Sequence, residues 1–363
     1  MAALLLSVFL ALPVQPAQAQ AFAMKELGPK ALKTVVDHLK SDDSDVRALA
    51  AEILGETGNK AAAGMLRGLL EDRDKYVRIA SARALWELGS PAGMKTILAI
   101  VNDVPAQGPI PVTNNPLVEL KIISQNKIRE KAIEAYTWMK GERAADLLYK
   151  LKNDNYGPVR DAAARELARL GRAEELAQIT GALADEDEAM RYEGATLLAK
   201  VCHPSAAAPL AKLLAGETSV RVRMAALDAL RCNPARKDAA EALLKLADDE
   251  NPTIKLKAIA ALGGIKDIKV KSKLTAAAAE SKDIRVKIAV QKGLVQAGSP
   301  ADAQTARDAM TAASADIRLE AIEVADSLID DEALPLLALT LDDPDTKVKL
   351  SGALKILRRA ARK

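Results

Sequence analysis

The chain has 363 residues, of which 49% are hydrophobic and only 2% aromatic, so its core must be built from Ala, Leu, Val and Ile. Its 52 basic and 49 acidic residues leave a net charge of +3. That near-balance gives no electrostatic case for a nucleic-acid partner, which favours a concentrated basic face.

Residues 2–14 are apolar and uncharged, and two small-residue sites follow, Ala17-Gln18-Ala19 and Ala21-Phe22-Ala23. An apolar run of that length before A-x-A sites predicts a secretory signal peptide over residues 1–23, too short for a permanent bilayer anchor. No Lys or Arg precedes the run, a departure from the usual pattern, and no Cys follows it to take a lipid. The mature chain, residues 24–363, is expected to start between Gln20 and Met24, to be periplasmic or secreted, and to lack a membrane span.

Residues 72–89 (DRDKYVRIASARALWELG) have an acidic opening, a Val77-Arg78 pair, and apolar residues at Ala80, Ala84, Leu85 and Leu88, closed by Gly89. This is the pattern of an amphipathic helix with an acidic cap and a glycine stop. Nearly the same text returns at residues 154–171, and more loosely at 42–55, 185–201, 217–230 and 249–263. First helices of successive pairs start near Pro29, Lys60, Pro91, Glu142, Ala173, Pro204, Arg236, Ile268, Pro300 and Asp331. The steps are 31 or 32 residues, apart from one of 51. A period of 31 suits two short helices and two turns. Each pair alone would leave an apolar face open, so the pairs must stack. The expected fold is all-α: a right-handed α-α superhelix of about ten two-helix repeats.

The long step places an insertion at residues 103–124 of the third repeat, with Pro105, Gly108, Pro109, Pro111 and Pro116. Such proline density predicts a loop, either a functional one folding over the concave face or a tolerated surface insertion. Six second helices also carry an acid and a base six residues apart: Asp72/Arg78, Asp154/Arg160, Asp185/Arg191, Glu217/Arg223, Asp249/Lys255 and Asp343/Lys349. A charge recurring from repeat to repeat is expected to be structural, paired within a repeat or between neighbours.

These acids and bases resemble the HEAT family, whose repeats share an Asp in the turn and an Arg early in the second helix. The 31-residue period and the wording Val159-Arg160-Asp161-Ala162-Ala163 and Val222-Arg223-Met224-Ala225-Ala226 are most similar to the short HEAT-like repeats of phycobilisome lyases. The resemblance covers about residues 29–359 and implies an armadillo-like α-solenoid. It says little of function, because unrelated activities share the fold. Deoxyhypusine hydroxylase has similar repeats and holds iron with His-Glu pairs, and no His-Glu dipeptide occurs here.

After Phe22, every aromatic residue falls between positions 76 and 192, bracketing the insertion. Trp86, Tyr136, Trp138 and Tyr149, with Pro109, Pro111 and Asn114 of the insertion, are therefore the candidate partner-binding residues. The alternative is that the rings fill space around a disturbed turn. Cys202 and Cys232 follow the second helices of successive units and form a candidate disulfide. The basic cluster Lys355, Arg358, Arg359, Arg362 and Lys363 reads as a solvated cap on the last helix. His38 and His203 stand apart, and no phosphate loop or nucleophile elbow is present. No catalytic, cofactor or metal residue is assigned. The expectation is a non-enzymatic protein-interaction scaffold whose partner sits on the concave face near repeats 2–5. The alternatives are an enzyme-accessory or lyase-like factor holding a small molecule, and a structural spacer.

Overall fold

A computed structural model of the protein describes residues 16–105, 116–233, 237–263 and 265–362. Twenty α-helices pair into ten repeats. The first three pairs are α1 (Pro16–His38) with α2 (Ser44–Glu56), α3 (Ala63–Leu69) with α4 (Lys75–Glu87), and α5 (Met94–Val101) with α6 (Pro116–Lys140). Next come α7 (Ala145–Leu151) with α8 (Gly157–Arg169), α9 (Ala173–Gly181) with α10 (Glu188–Val201), and α11 (Ala207–Gly216) with α12 (Val220–Leu230). The last four are α13 (Lys237–Leu246) with α14 (Pro252–Ala261), α15 (Ile268–Glu280) with α16 (Ile284–Gln296), α17 (Ala303–Met310) with α18 (Ala315–Ala325), and α19 (Asp330–Thr340) with α20 (Thr346–Ala360). Asp43, Asp74, Asp187, Asp283 and Asp345 each cap a second helix by accepting the backbone N–H two residues on.

The insertion differs from the expected loop. Residues 116–124, assigned to it from sequence, are the opening turns of α6, which runs 25 residues where α4 and α8 run 13. Pro116 stands in the first turn, where its missing N–H costs nothing, and no proline follows it until Pro158. Pro109, Pro111 and Asn114 lie outside the described residues.

The array closes on itself. Each second helix packs on the next, and α20 packs on α2 in the same way, while α1 seats on α19 and α20. One apolar cluster crosses this seam, joining Met24, Ala31, Val35 and Leu54 to Leu337, Val348, Ala353 and Ile356. At its margin Lys30 pairs with Asp342 at 3.0 Å and Arg358 with Glu56 at 2.6 Å. The ten second helices thus form an inner ring inside an outer layer of first helices. Closure over ten repeats requires a turn of about 36° per repeat, a small rotation that accumulates along any solenoid.

The recurrent charges join neighbouring repeats. Arg47 grips Asp72 at 2.9 and 3.0 Å, Arg129 grips Asp154 at 2.5 and 3.1 Å, and Arg318 grips Asp343 at 2.8 and 2.9 Å. Arg191–Glu217 and Arg223–Asp249 repeat the arrangement. The six-residue spacing has a different cause: the base donates to the backbone carbonyl of its own turn, as Arg78 does to Asp72 O and Arg160 to Asp154 O. In the third repeat, Arg129 has no acid six residues before it, and Val101 O at the end of α5 replaces that carbonyl.

Two members of the closing basic cluster are not part of a solvated cap, whereas Arg362 is exposed and Lys363 lies outside the described residues. Lys355 and Arg359 are buried; Lys355 pairs with Glu323, and Arg359 with Asp326 and Asp330. These acids lie on or just after α18 and at the start of α19, so their pairing draws the positive charge inside the last junction.

Candidate functional site

The inner ring faces an enclosed opening. Ten helices packed side by side at roughly 8–10 Å, each about 10–12 Å thick with side chains, leave about 15–20 Å across. A helix or an extended chain fits such an opening, and a folded domain does not.

Two clefts of about 440 Å³ each cut this inner face. The first crosses α2, α4, α6 and α8 and is lined only by second-helix residues, among them Glu52, Tyr76, Arg83, Lys131, Trp138 and Arg169. The Arg83 guanidinium stacks over the Trp138 ring at 4.9 Å. Its Nε is buried without an acceptor. Burial pushes the Glu52 carboxyl above its ordinary pKa, with Arg83 pulling weakly the other way. The second cleft lies between α8 and α10, floored by Ile179 of α9 and reached by Glu130 of α6. Burial pushes Glu130 up as well. A Glu134–Arg165 pair at 2.9 Å joins the walls of the two clefts.

That pair belongs to a second charge pattern, running laterally around the inner face. Glu134–Arg165, Asp228–Lys257, Glu323–Lys355 and Glu56–Arg358 each link one second helix to the next. Beside it lies Glu166 of α8, fully buried, with neither carboxylate oxygen hydrogen-bonded. Arg169 at 3.4 Å and Arg165 at 3.8 Å are its nearest bases. Desolvation lifts its pKa from 4.5 to about 6 despite both.

The aromatic candidates do not converge. Trp138 is 46% exposed and faces the first cleft. Trp86 and Tyr136 are partly buried against the core of repeats 2–4, with Lys140 over the Trp86 ring at 5.9 Å. Tyr149 stands exposed on α7 of the outer layer. Tyr76, which was not singled out from the sequence, shares the cleft with Trp138, as do Arg83 and Glu52. A sequence signal for these existed: position 52 is acidic and position 83 basic at one repeat register, and 134 and 165 repeat the alternation.

Cys202 and Cys232 are joined, with Cα atoms 5.3 Å apart. Equivalent points on neighbouring repeats sit near 10 Å, beyond disulfide reach. The two are not equivalent points, since Cys202 lies eleven residues past Arg191 (202 − 191) and Cys232 nine past Arg223 (232 − 223). Cys202 adopts φ +57° at the end of α10, where Gly89, Gly171 and Gly298 hold the left-handed position in other repeats. His38 Nδ1 lies 2.7 Å from Thr34 O, and His203 caps a 3-10 turn. Among the described residues no cluster of three or more His, Cys, Asp or Glu side chains could hold a metal. No described helix is long and apolar enough to cross a membrane.

The HEAT-repeat family profile matches residues 32–107, 147–231 and 222–295. The chain belongs to the HEAT-repeat family. Solved structures similar to it include an engineered protein, at 19% identity over 92% of this chain and 99% of that one, with a TM-score of 0.34. The complex of CpcE and CpcF of phycocyanin lyase from Nostoc sp. PCC7120 is 20% identical over 63% of this HEAT-repeat chain and 88% of that chain, with a TM-score of 0.38. Kap121p bound to RanGTP is 14% identical over 95% of this chain but only 45% of its own length, with a TM-score of 0.33. No curated protein matches the chain.

Proposed function

We propose that this HEAT-repeat protein is an exported, non-catalytic scaffold that holds an extended segment of a partner protein against its inner face near repeats 2–5. The observation that carries the reading is the first cleft. It gathers Trp138, Tyr76 and an Arg83 without a carboxylate partner, beside lateral ion pairs such as Glu134–Arg165. Aromatic and arginine side chains in a recess are the usual anchors of protein contacts. The apolar amino-terminal run and the Cys202–Cys232 bond support export, since disulfides persist in oxidising compartments. The near-balance of 52 basic and 49 acidic residues supports a protein partner over a nucleic acid.

A photo-crosslinking residue placed at Tyr76, with one at Tyr149 as the outer-layer control, tests the reading in the exported fraction. The expected result is a discrete adduct from position 76 and none from 149. Trp138→Ala should weaken the isolated complex at least tenfold, about 1.4 kcal/mol, with an unchanged melting temperature. Adducts from the outer position alone would overturn it. An unchanged affinity in Trp138→Ala would move the contact elsewhere on the ring.

A further inference from the structure

The second cleft carries a more specific demand. Its rim holds three carboxylates from three successive second helices: Glu130 of α6, Asp161 of α8 and Glu193 of α10. Among the described residues, none of the three has a basic side chain at ion-pairing distance. The base best placed to serve them, Arg165, is itself buried and turned to Glu134 at 2.9 Å. Its Nε makes no hydrogen bond, and the nearest carboxylate oxygen to it is Glu166 Oε1 at 3.8 Å. At two other places on the inner face a carboxylate is answered from the next repeat, Asp228 by Lys257 and Glu323 by Lys355. The cleft lining thus carries three carboxylates against one base, Arg165, which is already engaged by Glu134.

Its lining also holds apolar side chains. Ile179, Met190 and Leu197 line it, and Met190 is 43% exposed. A trough that combines apolar side chains with carboxylates matches a side chain with a long aliphatic stem and a cationic head, which packs the stem against the first and sets its charge by the second. A bare metal ion would gain nothing from the trough, and the carboxylates are not clustered closely enough to chelate one.

We propose that the second cleft receives a lysine or arginine side chain from the partner's extended segment. The stem lies along Ile179, Met190 and Leu197, and the head is held by Glu130, Asp161 and Glu193. The inference rests on the protein-binding reading above and adds the chemistry of one contact. Charge complementarity sets this occupant apart from an acidic or wholly apolar side chain, either of which would leave the three carboxylates repelled or unanswered.

The test uses the HEAT-repeat protein labelled with carbon-13 at its methionine methyls, the Met190 signal being assigned through Met190→Leu. The probes are blocked pentapeptides, Gly-Ser-X-Ser-Gly, with X as arginine, lysine, citrulline or glutamate, and spermidine as a free cation. The expected result is a saturable shift of the Met190 methyl with arginine and lysine peptides, at least fivefold weaker with citrulline and absent with glutamate. The double variant Asp161→Asn/Glu193→Gln should weaken the arginine response at least tenfold while keeping the melting temperature and the other methyl signals. No saturable shift, an equal response to citrulline, or an undiminished response in the double variant would overturn the proposal. So would spermidine binding more tightly than the peptides, which would make the cleft a site for free cations. Failure here is separable from failure of the scaffold reading. A position-76 crosslink that survives unchanged in the double variant would leave the scaffold standing and remove only this contact.

Discussion

Two sets of charges built from the same residue types behave in opposite ways on this ring. At the edge formed by the N-terminal ends of the second helices, Arg47 and Arg129 are buried and Arg318 is largely so, and each is held by two bonds to an aspartate of the next repeat. On the inner face around repeats 2–5, Arg83, Glu130, Asp161 and Glu193 lie at clefts without ion partners. The first set has its hydrogen-bonding capacity filled and fixes one repeat on the next. The second has capacity to spare and is open to the ring's interior. Recurrence from repeat to repeat marks the structural set, and departure from recurrence marks the candidate binding set.

The sharpest way to break this comparison is at Arg129, which is 1% exposed and bonded to Val101 O, Asn126 and Asp154. Arg129→Ala leaves Asp154 without its main counter-charge and should cost about 3–5 kcal/mol, read as a fall in the urea midpoint. Arg160→Ala removes an exposed donor to one backbone carbonyl and should cost under about 1 kcal/mol. Equal losses would mean that burial does not separate the edge charges.

The opposite edge provides a covalent comparison. The Cys202–Cys232 bond closes a loop with a sequence separation of 30, and by the chain-entropy argument its reduction should cost about 3–4 kcal/mol. Replacing both residues, as Cys202→Gly with Cys232→Ala, should recover about 1 kcal/mol relative to the reduced protein, because glycine takes the left-handed φ freely. Thermal unfolding of the oxidised, reduced and double-variant proteins checks both figures.

Glu166 tests the inner face by pH. Its pKa in the folded protein, about 6, lies above the ordinary 4.5, so folding favours the protonated form. The burial penalty is therefore absent below about pH 4.5 and complete above about pH 6, where it amounts to about 2 kcal/mol. Glu166→Gln should match the parent's melting temperature at pH 4.5 and exceed it at pH 8. A difference independent of pH would show that Glu166 is not titrating between those values.

The smallest effect is expected at the seam. Arg358→Ala removes an exposed pair with Glu56 and should change stability by less than about 1 kcal/mol. Small-angle scattering should give an unchanged radius of gyration, because Val35, Ala353 and Ile356 hold the seam by apolar contact.

The candidate site was only partly legible from the residues. Trp138 was found through the clustering of aromatics, and it does face the first cleft. Its partner residues Tyr76 and Arg83 look like ordinary members of a repeat, and only their packing around Trp138 sets them apart. Trp86 and Tyr136 belong to the same sequence cluster, yet their rings turn to the core, because a helix presents residues two apart to different sides.

The sequence by itself determined the repeat period, the ten helix pairs, their caps and the arginines at the turns. Each of these depends on residues a few positions apart, and that is the range over which helix spacing and capping act. Tertiary structure alone decided that α20 meets α1, that Arg47-type bases bind the next repeat's acid, and that Cys202 reaches Cys232. Ring closure is the clearest case. It is the sum of ten small rotations between stacked repeats, none written at any one position, and an error of a few degrees in each would leave the ends apart.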